Sequence, residues 1–169
     1  MRVATVLFLT LYLLRVLITE LNHTLSGVHV WIFAGGLFIA YSALMLPFRQ
    51  GFAASVLAGL LCDSLAPVAF GTHAALFAIA HAVVYNVRER MQRDETAVRV
   101  SVALIVNLAL FFLLTIVRIP HAPGDSIVWP RILSDLVCSQ VALALIAPWF
   151  FAFQFRILEL TGAYSSRAA

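Results

Sequence analysis

The chain has 169 residues, of which 63% are hydrophobic and only 11% are charged. A soluble domain has roughly 45–50% apolar and about 25% charged residues, so this composition excludes an ordinary soluble fold and predicts an integral membrane protein. The net charge is +3, and Arg supplies it without any Lys. We interpret these arginines as topology signals and contacts to lipid headgroups rather than to nucleic acid.

Apolar runs in chain order predict a compact all-α bundle of about six transmembrane helices, forming a single transmembrane domain over residues 1–169. The predicted spans cover residues 3–19, 28–46, 52–65, 70–87, 100–117 and 131–155. No small-residue cleavage site follows the first run, which is therefore expected to stay as a span. The third run is shorter than the roughly 17–25 residues that a crossing needs. Residues 51–69 therefore either span the membrane or re-enter it as a hairpin with the fourth run.

The arginines predict the orientation of these spans. With the N-terminus inside, the cytoplasmic loops and flanks hold Arg2, Arg49, Arg88, Arg90, Arg93, Arg99, Arg156 and Arg167, whereas the opposite side holds Arg118 and Arg131. Cytoplasmic loops carry an excess of basic residues. Both termini are therefore predicted to be cytoplasmic.

Three charged residues lie inside apolar runs at a similar predicted depth, near the outer side. They are Arg15 in the first span, Asp63 in the third and Asp135 in the sixth. Burying a charge in hydrocarbon is costly, and pairing recovers part of the cost. We expect Arg15 to pair with Asp63, Asp135 or both. This layer is either a staple that fixes helix packing or an outward-facing polar pocket that binds a solute or a partner.

Other polar residues in the spans are expected to be structural. His73 and His81 lie on roughly one face of the fourth span without a third ligand at metal-site spacing, although Asp63 could supply one in three dimensions. Hydrogen-bonded core histidines are favoured over a metal or proton-relay role, and no metal or cofactor is expected. Asn107 is expected to form an interhelical hydrogen bond. The sequence has no GxSxG, HExxH or P-loop motif, and we predict no catalytic residue and a non-enzymatic protein.

The stretch around Asp63 carries a recognisable pattern. Gly59-Leu60-Leu61 precedes Asp63, an interruption follows at Pro67, and Gly71-Thr72-His73-Ala74 opens the next run. These residues resemble the recurring pattern of the rod shape-determining protein MreD family, G-(L/I)-(L/I)-x-D, a short gap, and (L/F)-G-x-x-A. Chain length, the short turn with Pro47 and Arg49, and the charged loop near residue 90 are also similar.

The resemblance implies a scaffold subunit of the bacterial cell-elongation machinery, which controls rod shape and peptidoglycan synthesis, in the inner membrane. It implies an MreC-type single-span partner, with MreB and with RodA and its penicillin-binding partner nearby. It implies a fold similar to the S-components of energy-coupling-factor transporters. Gly59, Asp63 and Gly71, together with Arg15 and Asp135, are the candidate structural or partner-binding residues. The alternative is a solute-binding subunit of a vitamin-type transporter, with its site at the level of Arg15, Asp63 and Asp135.

Overall fold

A computed structural model describes residues 2–25, 27, 30–64, 69–91, 95–118 and 128–160; for some helical residues, including Arg15, it describes the backbone only. The elements are helices, as predicted. They are α1 (Arg2–Leu25), α2 (Gly35–Met45), α3 (Phe48–Asp63), α4 (Thr72–Val87), α5 (Thr96–Arg118) and α6 (Val128–Leu160), with a 3₁₀ turn (Arg88–Arg90) directly after α4.

Helix α2 is the centre of the bundle. Its residues from Gly35 to Leu44 are all buried, and it packs against α3, α4, α5 and α6. Leu37 and Ile39 are completely enclosed, together with Phe77 of α4. A helix that is apolar on every side must be buried in a core or a membrane, and α2 is buried by its neighbours.

The outer surface of the bundle is apolar. Side chains such as Ile79, Ile105, Leu145 and Trp149 are mostly exposed. Among the side chains that the structure describes, the buried polar ones are Asn22, Ser42, Ser55, Asp63, His73, His81, Asn107, Ser139 and Gln154. Two helical segments, Thr96–Val117 and Trp129–Ile157, are long and apolar enough to cross a membrane. The protein therefore has the helical and apolar character of a membrane protein.

The predicted second helix over residues 28–46 is wrong in its first part. Residues 30–34 are not helical, and α2 begins only at Gly35. The bulky β-branched and aromatic residues of this segment favour a helix only weakly, and Gly35 with Gly36 is a poor place to continue one. Side chains of other helices bond to the backbone of this segment instead, as described below.

Other helix boundaries also differ from the predicted ones. Helix α1 continues to Leu25, beyond residue 19 where the first span was predicted to end, and α3 begins at Phe48 directly after Pro47. Proline suits this position because a helix leaves its first N–H groups unbonded anyway. Whether the third predicted span crosses the membrane or re-enters it depends on residues 65–68, which lie outside the described residues.

Candidate functional site: the α3–α4 junction

Asp63 is the last residue of α3, and its carboxylate caps the start of α4. Oδ1 accepts the backbone N–H of His73 at 2.9 Å, and Oδ2 accepts those of Gly71 at 3.0 Å and Ala74 at 3.2 Å. Nδ1 of His73 lies 2.8 Å from Oδ1, and it donates because an ionised carboxylate only accepts. Asp63 is thus an N-cap supplied by a different helix.

These bonds occupy the acceptor capacity of the carboxylate. An ionised carboxylate has two oxygens with about four lone-pair sites, and each oxygen of Asp63 receives two donors from Gly71 and the first turn of α4. Asp63 is also 4% exposed. A carboxylate in this state is suited to hold a helix end in place, and poorly suited to bind a solute or to accept a proton during catalysis.

Two glycines shape the same junction. Gly71 has a φ of 97°, a left-handed conformation that glycine adopts without a Cβ penalty. Gly59 faces the start of α4 so closely that a Cβ atom would overlap the Ala74 Cα and backbone N. The small residue therefore allows α3 and α4 to approach each other, which brings Asp63 within hydrogen-bond distance of the α4 amides.

Asp135 has a similar task at a different place. Its Oδ1 accepts the backbone N–H of Trp31 at 2.8 Å. One turn further along α6, the Ser139 hydroxyl accepts the N–H of Phe33 at 2.9 Å and donates to the Trp31 carbonyl at 3.3 Å. Helix α6 thereby holds the first part of the non-helical segment 30–34.

Two asparagines complete the support of segment 30–34. The Asn22 side chain of α1 accepts from Ile32 N–H at 2.7 Å and donates to the Ile32 carbonyl at 2.9 Å. The Asn107 side chain of α5 donates to the Phe33 carbonyl at 3.0 Å and accepts from Gly36 N–H at 3.1 Å. The expected interhelical role of Asn107 is confirmed. Buried backbone groups outside a helix need other hydrogen-bond partners, and these side chains supply partners to Ile32, Phe33 and Gly36.

A third polar cluster joins α2, α3 and α4. The Ser42 and Ser55 hydroxyls lie 2.8 Å apart, and each lies 3.2 Å from Nδ1 of His81. A serine next to a histidine is the arrangement of a nucleophile and its base. Here all three side chains are buried, and Ser42 also donates to the Ile39 carbonyl. The cluster therefore joins the three helices and presents no accessible nucleophile.

The structure brings together some of the predicted site residues and separates others. Gly59, Asp63 and Gly71 form one junction, while Asp135 binds a different segment. The predicted pairing of Arg15 with either carboxylate depends on a side chain outside the described residues, so it stays a prediction. The roles of Asn22 and Ser139 were not predicted from the sequence. Each is a polar residue among apolar neighbours, but nothing local shows that its partner is a backbone group.

Within the described part of the chain, no three His, Cys, Asp or Glu side chains lie together as ligands for a metal ion. No family model, curated protein or solved structure matches the chain. A proposal of function therefore rests on the geometry of the α3–α4 junction and on the sequence pattern that forms it.

Proposed function

We propose that this protein is a multi-pass, non-enzymatic scaffold subunit of the bacterial inner membrane, acting in the cell-elongation machinery with an MreC-type single-span partner. In this proposal the helices form a six-span bundle with both termini cytoplasmic. The MreB protein and RodA with its penicillin-binding partner are further components that the resemblance implies.

The observation that carries the proposal is the α3–α4 junction. Gly59, Asp63, Gly71 and Ala74 carry the sequence resemblance, and they contact one another in the fold. Each has a structural task, since the glycines allow a close approach and a turn while Asp63 caps a helix. Residues that serve helix assembly in this way fit a scaffold better than an enzyme.

The polar interior supports the same proposal. Asp63, Asp135, Asn22 and Asn107 bond to backbone atoms of neighbouring segments, so polar side chains fix how the helices meet. An apolar exterior surrounds them, and such an exterior suits contact with lipid and with the transmembrane helix of a partner. In the alternative of a solute-binding transporter subunit, Asp63 would have to release α4 amides to contact its solute.

Co-purification from native membranes tests the proposal. The full chain is extracted in mild detergent, and its bound proteins and small molecules are identified by mass spectrometry. We expect a single-span MreC-type protein at near-equal amounts and no retained solute. A retained vitamin-like solute together with an ATPase pair would overturn the scaffold in favour of the transporter subunit.

Variants of the α3–α4 junction test whether partner recovery depends on its geometry. Asp63→Asn is expected to reduce recovery of the partner, because the surface of α3 and α4 loses its fixed geometry. Glu89→Gln is the matched control, since Glu89 is exposed and undergoes the same loss of charge. Equal partner recovery with both variants would contradict a scaffold role for the junction.

A further inference from the structure

A proline interrupts the backbone hydrogen bonding of α6. Pro148 lies inside the helix and has no N–H group, so the Ala144 carbonyl, four residues earlier, loses the donor that a regular helix would give it. Among the residues that the structure describes, no side chain donates to this carbonyl instead. The Ala144 carbonyl is therefore an acceptor without its helical donor.

The Ala144 carbonyl also lies far from both ends of the apolar part of α6. The segment Trp129–Ile157 is long and apolar enough to cross a membrane, and Ala144 is near its midpoint. At 1.5 Å per residue the carbonyl is about 20 Å from either end. In the proposed membrane bundle this is the hydrocarbon centre, where water is absent and neighbouring helices satisfy the backbone groups that a proline frees.

The surface around this carbonyl faces away from the bundle. Ala144 and Ala152, one turn before and one turn after Pro148, are exposed. Leu145 and Trp149 are 69% and 80% exposed and form a bulky ridge beside the alanines. Residues three or four apart are neighbours on a helix surface, so these five residues form one continuous surface. We call it the Pro148 face.

The missing donor limits what suits the Pro148 face. Acyl chains carry no N–H or O–H group. The same face of a second copy would bring another carbonyl that lacks its donor, and the Ser134 hydroxyl on α6 already donates to the Arg131 carbonyl. A helix of another protein with Ser, Thr, Asn or Gln at this depth would supply the donor, because such side chains form hydrogen bonds between membrane helices.

We propose that the Pro148 face is the docking surface for the transmembrane helix of the single-span partner, with a hydroxyl or amide side chain of that helix donating to the Ala144 carbonyl. The inference rests on the proposed scaffold function and names the surface at which the scaffold meets its partner. Ala144 and Ala152 let the backbone of the partner helix come close, while Leu145 and Trp149 supply apolar contact area.

Photo-crosslinking in native membranes tests where the partner binds. Benzoylphenylalanine replaces Leu145 in one full-length variant, and it replaces Ile79 of α4 or Ile105 of α5 in two controls. These controls are matched, because the two isoleucines are 61% and 65% exposed and Leu145 is 69% exposed. We expect an adduct with the single-span partner from position 145 only. Adducts from position 79 or 105 and none from 145 would overturn the proposed surface and leave the scaffold proposal standing.

Pro148→Ala tests the hydrogen bond separately. Alanine restores an N–H for the Ala144 carbonyl inside α6, so stability in detergent should be unchanged or higher. Partner recovery should nevertheless fall about threefold, the effect of an average hydrogen bond between membrane helices. Pro130→Ala is the matched control and should keep the recovery, because Pro130 is an exposed proline in the first turn of the same helix, where N–H groups have no helical partner anyway.

Each further outcome contradicts a different part of the proposal. Equal partner recovery with Pro148→Ala and Pro130→Ala would overturn the hydrogen bond to Ala144. An adduct from position 145 with a second copy of this chain, and none with a single-span protein, would assign the Pro148 face to self-association instead. If the unaltered protein co-purifies with no single-span protein, the scaffold function itself is overturned.

Discussion

The Asp63 carboxylate accepts both the backbone N–H and the ring Nδ1 of His73, at 2.9 Å and 2.8 Å. One residue of α3 thus fixes both the backbone and the side chain at the first turn of α4. Because hydrogen bonds that involve a charged group contribute more than neutral ones, this contact is expected to be a main determinant of how the two helices assemble.

Replacing the carboxylate of Asp63 should destabilise the protein strongly. In Asp63→Asn one oxygen becomes an NH₂ group, which faces N–H donors of α4 that then lose their acceptor. We expect a loss of about 3 kcal/mol, because two hydrogen bonds to a charged group are removed. Unfolding in detergent, followed by circular dichroism, measures it. A loss no larger than that of Ser64→Ala, an exposed neighbour, would contradict the capping role.

Gly71→Ala isolates the effect of backbone conformation. A Cβ at Gly71 would meet no atom within 4 Å, but its φ of 97° is unfavourable for alanine. We expect a loss of about 1–2 kcal/mol. Gly27→Ala is a matched control, because its Cβ also has open space and its φ is not in that region. Equal stability of the two variants in the same unfolding assay would show that the backbone conformation at position 71 does not require glycine.

Gly59→Ala tests the close approach of α3 and α4 instead. The added Cβ would overlap the backbone of Ala74, and backbone atoms cannot move aside as a flexible side chain does. We expect a loss of about 1–3 kcal/mol from overpacking, with Gly27→Ala again as the control. A stability equal to that of the unaltered protein would show that the helices separate without cost.

Asn107→Ala should release segment 30–34. The asparagine makes two hydrogen bonds to backbone of that segment and of α2, and their loss leaves both partners unsatisfied. We expect about 2 kcal/mol of destabilisation, together with faster hydrogen exchange at residues 31–36. Thr115→Ala on the same helix removes only a bond to its own helix carbonyl. Equal exchange rates in the two variants would show that Asn107 does not hold the segment.

Cysteine labelling tests the proposed topology. Single cysteines are placed at Gly27 and Glu95 in a chain whose Cys62 and Cys138 are replaced by alanine, and intact cells are treated with a membrane-impermeant maleimide. We expect labelling at position 27 only, because the distribution of arginines predicts that position 95 is cytoplasmic. Labelling at position 95 alone would invert the bundle, and labelling at both positions would contradict an odd number of crossings between them.

The sequence by itself determined the helical, apolar character of the protein. It also indicated Asp63 as a central residue, since an acid within an apolar run requires a partner. The positions of α4, α5 and α6 followed from the lengths of their apolar runs, with boundaries off by a few residues. The lengths of the apolar runs predict these helices because a lipid bilayer and a protein core both require a continuous apolar helix.

Only the tertiary structure decided what the polar residues bind. Asp63 and Asp135 looked alike in the sequence, as acids in two apolar runs. In the fold, Asp63 caps α4 and Asp135 holds Trp31 of a segment that was expected to be helical. No local pattern specifies these pairings, because a backbone amide is present at every residue but proline. Whether residues 30–34 form a helix depends on whether side chains of three other helices replace the internal hydrogen bonds of that helix. These side chains belong to Asn22, Asn107, Asp135 and Ser139.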